Sequence, residues 1–146
     1  MNRKDFIKTC GLACIGGTAM SALIQSCTGT QYVLAATSEN KLLTIKKTEF
    51  DNPGKKGPGK KQYVLVKPAA LNFPVCIYPL PGDQYTAVLL ECTHNGCELQ
   101  PHGDYLVCPC HGSEFSKQGI VQNPPAENNL KTFKITSDHE NIYLQL

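Results

Sequence analysis

The chain has 146 residues, room for one domain and not comfortably two. Its net charge of +2 comes from Arg3, Lys4 and Lys8 against Asp5, so residues 27–146 hold eleven acidic and eleven basic side chains, which excludes the basic footprint of a nucleic-acid-binding domain. Eight cysteines are many for this length, and they are unevenly placed: Cys10, Cys14 and Cys27 near the N-terminus, Cys92, Cys97, Cys108 and Cys110 in one short region, and Cys76 alone.

In chain order, residues 1–26 read as an export signal, with a short basic start followed by an apolar stretch over residues 10–24. That stretch contains Gly11, Gly16 and Gly17 and falls short of the roughly 20 apolar residues a spanning helix needs. Ile24-Gln25-Ser26-Cys27 resembles a bacterial lipobox, with Cys27 as the residue to be lipidated; an uncleaved signal anchor is the alternative. Asn2-Arg3-Lys4-Asp5-Phe6-Ile7-Lys8 resembles a twin-arginine export signal with Lys4 in place of the second arginine. Residues 27–41 are small and polar, a tether.

The folded domain is expected over residues 42–146. Leu42-Leu43-Thr44-Ile45 opens strand-like sequence. Residues 51–61, with Pro53, Gly54, Gly57, Pro58 and Gly59 among four lysines, form an exposed hairpin loop, or alternatively a docking patch for an acidic redox partner. Short runs rich in Val, Ile, Leu and Tyr follow at 63–66, 75–78 and 85–90, with Pro81-Gly82-Asp83 turning the chain between the last two. Cys76 lies inside an apolar run and reads as a buried thiol. Beyond the cysteine-rich region, residues 130–135 and 142–146 are strand-like, and Ile142, Leu144 and Leu146 alternate with Tyr143 and Gln145. No segment of residues 27–146 has sustained helical periodicity, so an antiparallel all-β domain is expected.

The chemistry lies in Cys92-Thr93-His94-Asn95-Gly96-Cys97 and Cys108-Pro109-Cys110-His111-Gly112-Ser113. Cys-x-His is followed, after thirteen intervening residues, by Cys-x-x-His. Two thiolates and two imidazoles suit zinc or an iron–sulfur centre. Four ligands would complete a zinc site and leave Cys97 and Cys110 unexplained. His102 and His139 lack ligand spacing and read as surface residues; Glu91, Glu98 and Glu114 read as solvated loop charges.

The double motif closely resembles the Rieske family. The resemblance implies an antiparallel β-sheet base, sandwich- or barrel-like, carrying a small cluster-binding subdomain over about residues 91–126, and one [2Fe–2S] cluster. It makes Cys92 and Cys108 the ligands of one iron and His94 and His111 those of the other, with Cys97 and Cys110 joined as a disulfide. Ser113 takes the place of a hydroxyl that donates to a bridging sulfide, and Gly119 with Pro124-Pro125-Ala126 matches the loop that covers the cluster. Two positions depart from the family members that work on quinols: Asn95 stands for Leu, and Phe115 stands for a tyrosine that bonds a ligand sulfur. Exchanging two thiolates for neutral imidazoles raises the potential to about −150 to +300 mV, against about −400 mV for all-cysteine plant-type clusters. The imidazoles also link electron transfer to proton transfer at His94 and His111.

The function implied is that of an oxidoreductase component: an electron carrier or redox-complex subunit with a cytochrome-type acceptor. Its donor is a quinol, or an oxidoreductase subunit as in arsenite-oxidase-like enzymes. A Rieske oxygenase chain needs a further iron domain, and only 35 residues follow His111. An oxygenase-type ferredoxin would lack the paired loop cysteines. The expected location is the bacterial cell envelope, facing the periplasm and membrane-anchored through Cys27. Folded export followed by oxidation reconciles cytoplasmic cluster loading, which couples to folding, with a disulfide that needs an oxidising compartment.

Overall fold

A computed structural model of the chain describes residues 32–33, 36–37, 41–52 and 59–146. The export signal, Cys27, most of the tether and residues 53–58 of the lysine-rich loop lie outside the described residues. The described strands are β1 (Tyr32–Val33), β2 (Ala36–Thr37), β3 (Leu42–Lys46), β4 (Val64–Val66), β5 (Val75–Leu80), β6 (Gln84–Leu89), β7 (Gln100–His102), β8 (Tyr105–Val107), β9 (Glu114–Ser116), β10 (Val121–Asn123), β11 (Lys134–Ser137) and β12 (Asn141–Gln145). They form three four-stranded sheets among the described residues, in the orders β11-β12-β3-β2, β1-β4-β5-β6 and β10-β9-β8-β7.

The alternation read in residues 142–146 places Ile142 and Leu144 on a buried face, opposite Ile45 and Leu43 of β3. The second sheet differs because both its faces are covered. Along β4, β5 and β6, Val64, Val66, Val75, Ile77, Ala87 and Leu89 join the core made with the first sheet. Their neighbours Leu65, Cys76, Tyr78, Val88 and Leu90 point the opposite way, into a second core with Leu99, Leu106 and Phe115. A strand buried on both faces reads as an unbroken apolar run, as residues 75–78 do. Burying one such side chain contributes about 1.5–3 kcal/mol. The second core includes Cys92, Cys108 and Ala126, so the middle sheet is the floor under the candidate site.

Cys76 is fully buried, and burial pushes its thiol pKa up to about 12. The turn at 81–83 is present, with Gly82 and Asp83 at positive φ. Two expectations need correction. Residues 32–33 and 36–37 are not plain tether: β1 pairs with β4 and β2 with β3, and two-residue strands are too short to show a period. The strand expected at 130–135 begins only at Lys134. The preceding residues run beside β6, through Leu89 N–H to Lys131 O and Phe133 N–H to Ala87 O, while Leu130 enters the second core and Phe133 the first. The pairing there is an isolated bridge, Val88↔Thr132, and not a continuous ladder.

Candidate metal centre

β6 runs directly into the first motif, and the hairpin of β8 and β9 carries the second. The two six-residue loops share one frame. Cys92 N–H donates to Cys97 O at 2.9 Å and Gly96 N–H to Cys92 O at 2.8 Å. Cys108 N–H donates to Ser113 O at 2.8 Å and Gly112 N–H to Cys108 O at 3.0 Å. The fifth residue of each is a glycine in the left-handed region, Gly96 at φ +67° and Gly112 at φ +78°, which a side chain would oppose. Residue pairs Glu91↔Glu98 and Val107↔Glu114 close them.

The shared frame sorts the side chains. The first position of each loop is a buried free thiol, Cys92 or Cys108. His94 and His111 are exposed, their rings edge to face with centroids 4.9 Å apart. The sixth position of the first loop, Cys97, is bonded to the third of the second, Cys110. The sulfurs of Cys97, Cys108 and Cys110 lie within 4.8 Å of one another, but two are spent in the disulfide, which leaves Cys108 as the only possible ligand of the three. Burial pushes the Cys92 thiol up; the backbone amides of His94 and Asn95 favour its thiolate, while the adjoining Cys108 thiol raises it further.

Ser113 is fully buried. Its hydroxyl oxygen accepts from Ala126 N–H at 3.0 Å, and no bond donated by that hydroxyl is found among the described residues. A buried proton donor at the loop junction suits an acceptor such as an inorganic sulfide. With two buried thiols and two facing imidazoles, the donor set fits a [2Fe–2S] cluster better than a closed tetrahedral zinc site, which needs no such hydroxyl. Ala126 belongs to the third segment, in which Thr93 Oγ1 also donates to Asn128 O at 2.6 Å, so that segment is latched to both loops. Phe115 is fully buried in the core that holds Cys92 and Cys108. His102 and His139 are exposed; His102 stacks on Tyr105. The loop frame itself was visible in sequence as Cys-x-x-x-Gly occurring twice. The resemblance marked the segment that holds Ala126, whereas the Thr93 latch carries no sequence signal.

The family model described as "Rieske [2Fe-2S] domain" matches residues 41–134. The chain is 31% identical over 67 residues to a cytochrome b6-f complex iron-sulfur subunit of Chlorobaculum tepidum, covering 44% of this chain and 37% of that protein. It is 43% identical over 54 residues to a ubiquinol-cytochrome c reductase iron-sulfur subunit of Blastochloris viridis, covering 34% and 30%. The chain thus spans about a third of the length of these curated relatives. Among solved structures it is similar to the cyanobacterial plasma membrane Rieske protein PetC3 from Synechocystis PCC 6803, at 32% identity and a TM-score of 0.53 over 58% of this chain and 87% of that one.

Proposed function

This chain belongs to the Rieske [2Fe-2S] domain family, and we propose that it is an exported, membrane-tethered carrier that passes single electrons from a donor to a cytochrome-type acceptor. In this reading Cys92, Cys108, His94 and His111 hold the cluster, and Cys27 carries the lipid that keeps the domain at the periplasmic face of the cell envelope. The observation that supports it is the common frame of the two loops, which brings two buried thiols and two exposed imidazoles to one end of the fold. When bound, the cluster supplies a one-electron couple at a potential above that of all-cysteine clusters.

The chain's own residues set how that electron leaves. The buried cysteines keep one side of the site in the apolar core and away from water. The exposed histidines provide the short path to a partner. Ser113 donates its remaining hydroxyl proton into the site. The motif loops and residues 123–129 contain no Leu, Ile, Val, Met, Phe or Tyr, so the tip offers amides, prolines and imidazoles rather than a greasy surface. That observation favours a protein donor, as in complexes of an oxidoreductase with a Rieske small subunit, over a quinol in an apolar pocket.

The test is iron and acid-labile sulfide analysis with electron paramagnetic resonance of the reduced protein. The expected result is two irons and two sulfides per chain, as the family's cluster requires, lost in Cys92→Ser, Cys108→Ser, His94→Ala and His111→Ala. A chain that retains full iron and sulfide with Cys92 or Cys108 replaced would overturn the ligand assignment.

A further inference from the structure

The balanced charge of residues 27–146 hides a segregation. Residues 91–129 carry Glu91, Glu98, Asp104, Glu114 and Glu127 against Lys117 alone. Residues 27–90 carry eight lysines against Glu39, Glu49, Asp51 and Asp83, and residues 130–146 are balanced. Asp104 and Lys117 pair with each other at the far end of β8 from the second motif loop, and Lys131 lines the crevice beside Glu91, so the segments that frame the two histidines set Glu91, Glu98, Glu114 and Glu127 against Lys131 and are acidic.

The acidic side chains are not spent on the fold. Asp104 pairs with Lys117 at 3.0 Å, but Glu91, Glu98, Glu114 and Glu127 make no ion pair among the described residues. Lys131 lines the same crevice as Glu91 without forming one. Glu91 and Glu98 face each other directly across an antiparallel bridge. Like charges in that position destabilise the pairing, so the fold carries a local cost at the root of the first motif. Glu114 closes the second loop, and Glu127 stands between Ala126 and Asn128, the two latches of the third segment. Each segment that frames His94 and His111 thus has an unpaired carboxylate at its root, and the tip between them has no large apolar side chain through which a partner could bind.

We propose that this end is a docking surface for a redox protein that rims its own centre with lysine or arginine. The inference rests on the preceding reading, because it takes the His94–His111 pair as the point of electron exchange. Negative charge around the histidines steers such a partner before contact, and charge complementarity of this kind raises association rates by about 10- to 1,000-fold at low salt. Screening removes the effect as the Debye length falls from about 30 Å at 0.01 M to about 3 Å at 1 M.

The experiment uses the full, cluster-loaded protein, reduced and mixed by stopped flow with tris(phenanthroline)cobalt(III), a trivalent cation, or ferricyanide, a trivalent anion. As ionic strength rises from low to high, the cobalt rate is expected to fall by about tenfold or more and the ferricyanide rate to rise. Glu98→Gln with Glu127→Gln, both exposed positions, should flatten both dependences, while Lys46→Gln with Lys60→Gln, which removes positive charge, should not flatten them. Calorimetry with a lysine-rimmed c-type cytochrome carrying zinc in place of haem iron should show binding that weakens with salt and with the glutamine changes. Flat or inverted salt dependence, or no salt-sensitive binding of the zinc cytochrome, overturns the docking surface. Failure of the protein to bind iron and sulfide overturns the functional reading instead, and the redox-inert calorimetry separates the two.

Discussion

Ser113 and Phe115 sit two residues apart, and both are fully buried, but only one can speak to the cluster site through hydrogen bonding. Ser113 has one lone pair committed to Ala126 N–H and its proton left to donate. Hydrogen bonds to cluster sulfurs stabilise the reduced, more negative state and raise the potential. Phe115 packs in the same core as Cys92 and Cys108 but has no hydroxyl. Voltammetry should therefore show a lower potential for Ser113→Ala and a higher one for Phe115→Tyr. A correctly folded Phe115→Tyr protein whose potential does not rise would remove the tuning argument for that position. By the same reasoning the wild-type potential should lie below that of relatives with both hydroxyls and above the all-cysteine range.

At the scale of an element, the two motif loops depend on what ties them. The Cys97–Cys110 bridge spans thirteen positions in sequence. Closing a loop of that size stabilises by about 3 kcal/mol in the chain-entropy account, and here the bridge adjoins the Cys108 sulfur. Replacing both cysteines by alanine should lower thermal stability and speed iron loss under chelator; unchanged iron retention and melting would show the bridge to be idle. The third segment depends on Gly119. Its φ is +81°, and a Cβ there would stand 3.2 Å from Leu130 Cβ and 3.3 Å from Val88 Cγ1. Gly119→Ala combines left-handed strain with that crowding and should cost about 1–3 kcal/mol in denaturant unfolding. The damage should extend to the cluster, because the segment latches to Ser113 through Ala126 and to Thr93 through Asn128.

For the whole molecule, the relevant arrangement is a middle sheet with a packed base on one face and the cluster-binding subdomain on the other. The proposed export and attachment rest on the N-terminal sequence. Cys27→Ala should release a soluble protein or leave an unprocessed precursor, read by fractionation and mass spectrometry. A variant of normal mature size that stays in the membrane would favour an uncleaved signal anchor over lipidation. Among the described residues no helix is long and apolar enough to cross a membrane.

Local chemistry was legible in the residues alone. The Cys-x-His and Cys-x-x-His spacings name a thiolate–imidazole donor set because ligands on one short loop need little more than the right neighbours. Short β-branched runs between turn residues announced an all-β chain for a similar reason: the period of a strand is written in adjacent positions. What stayed hidden depends on contacts between distant segments. The run at 75–78 does not reveal that Cys76 and Tyr78 face the cluster side while Val75 and Ile77 face the base, since an unbroken apolar run has no contrast to read. β1 and β2 are too short to carry a period, and residues 130–133 meet β6 only through an isolated bridge that the apolar content of the segment does not distinguish from a strand. Glu91 and Glu98 looked like ordinary solvated charges until backbone pairing set them opposite each other. Register across a loop is decided by which hydrogen bonds and buried faces can be satisfied together, and that choice is made only when the sheets pack.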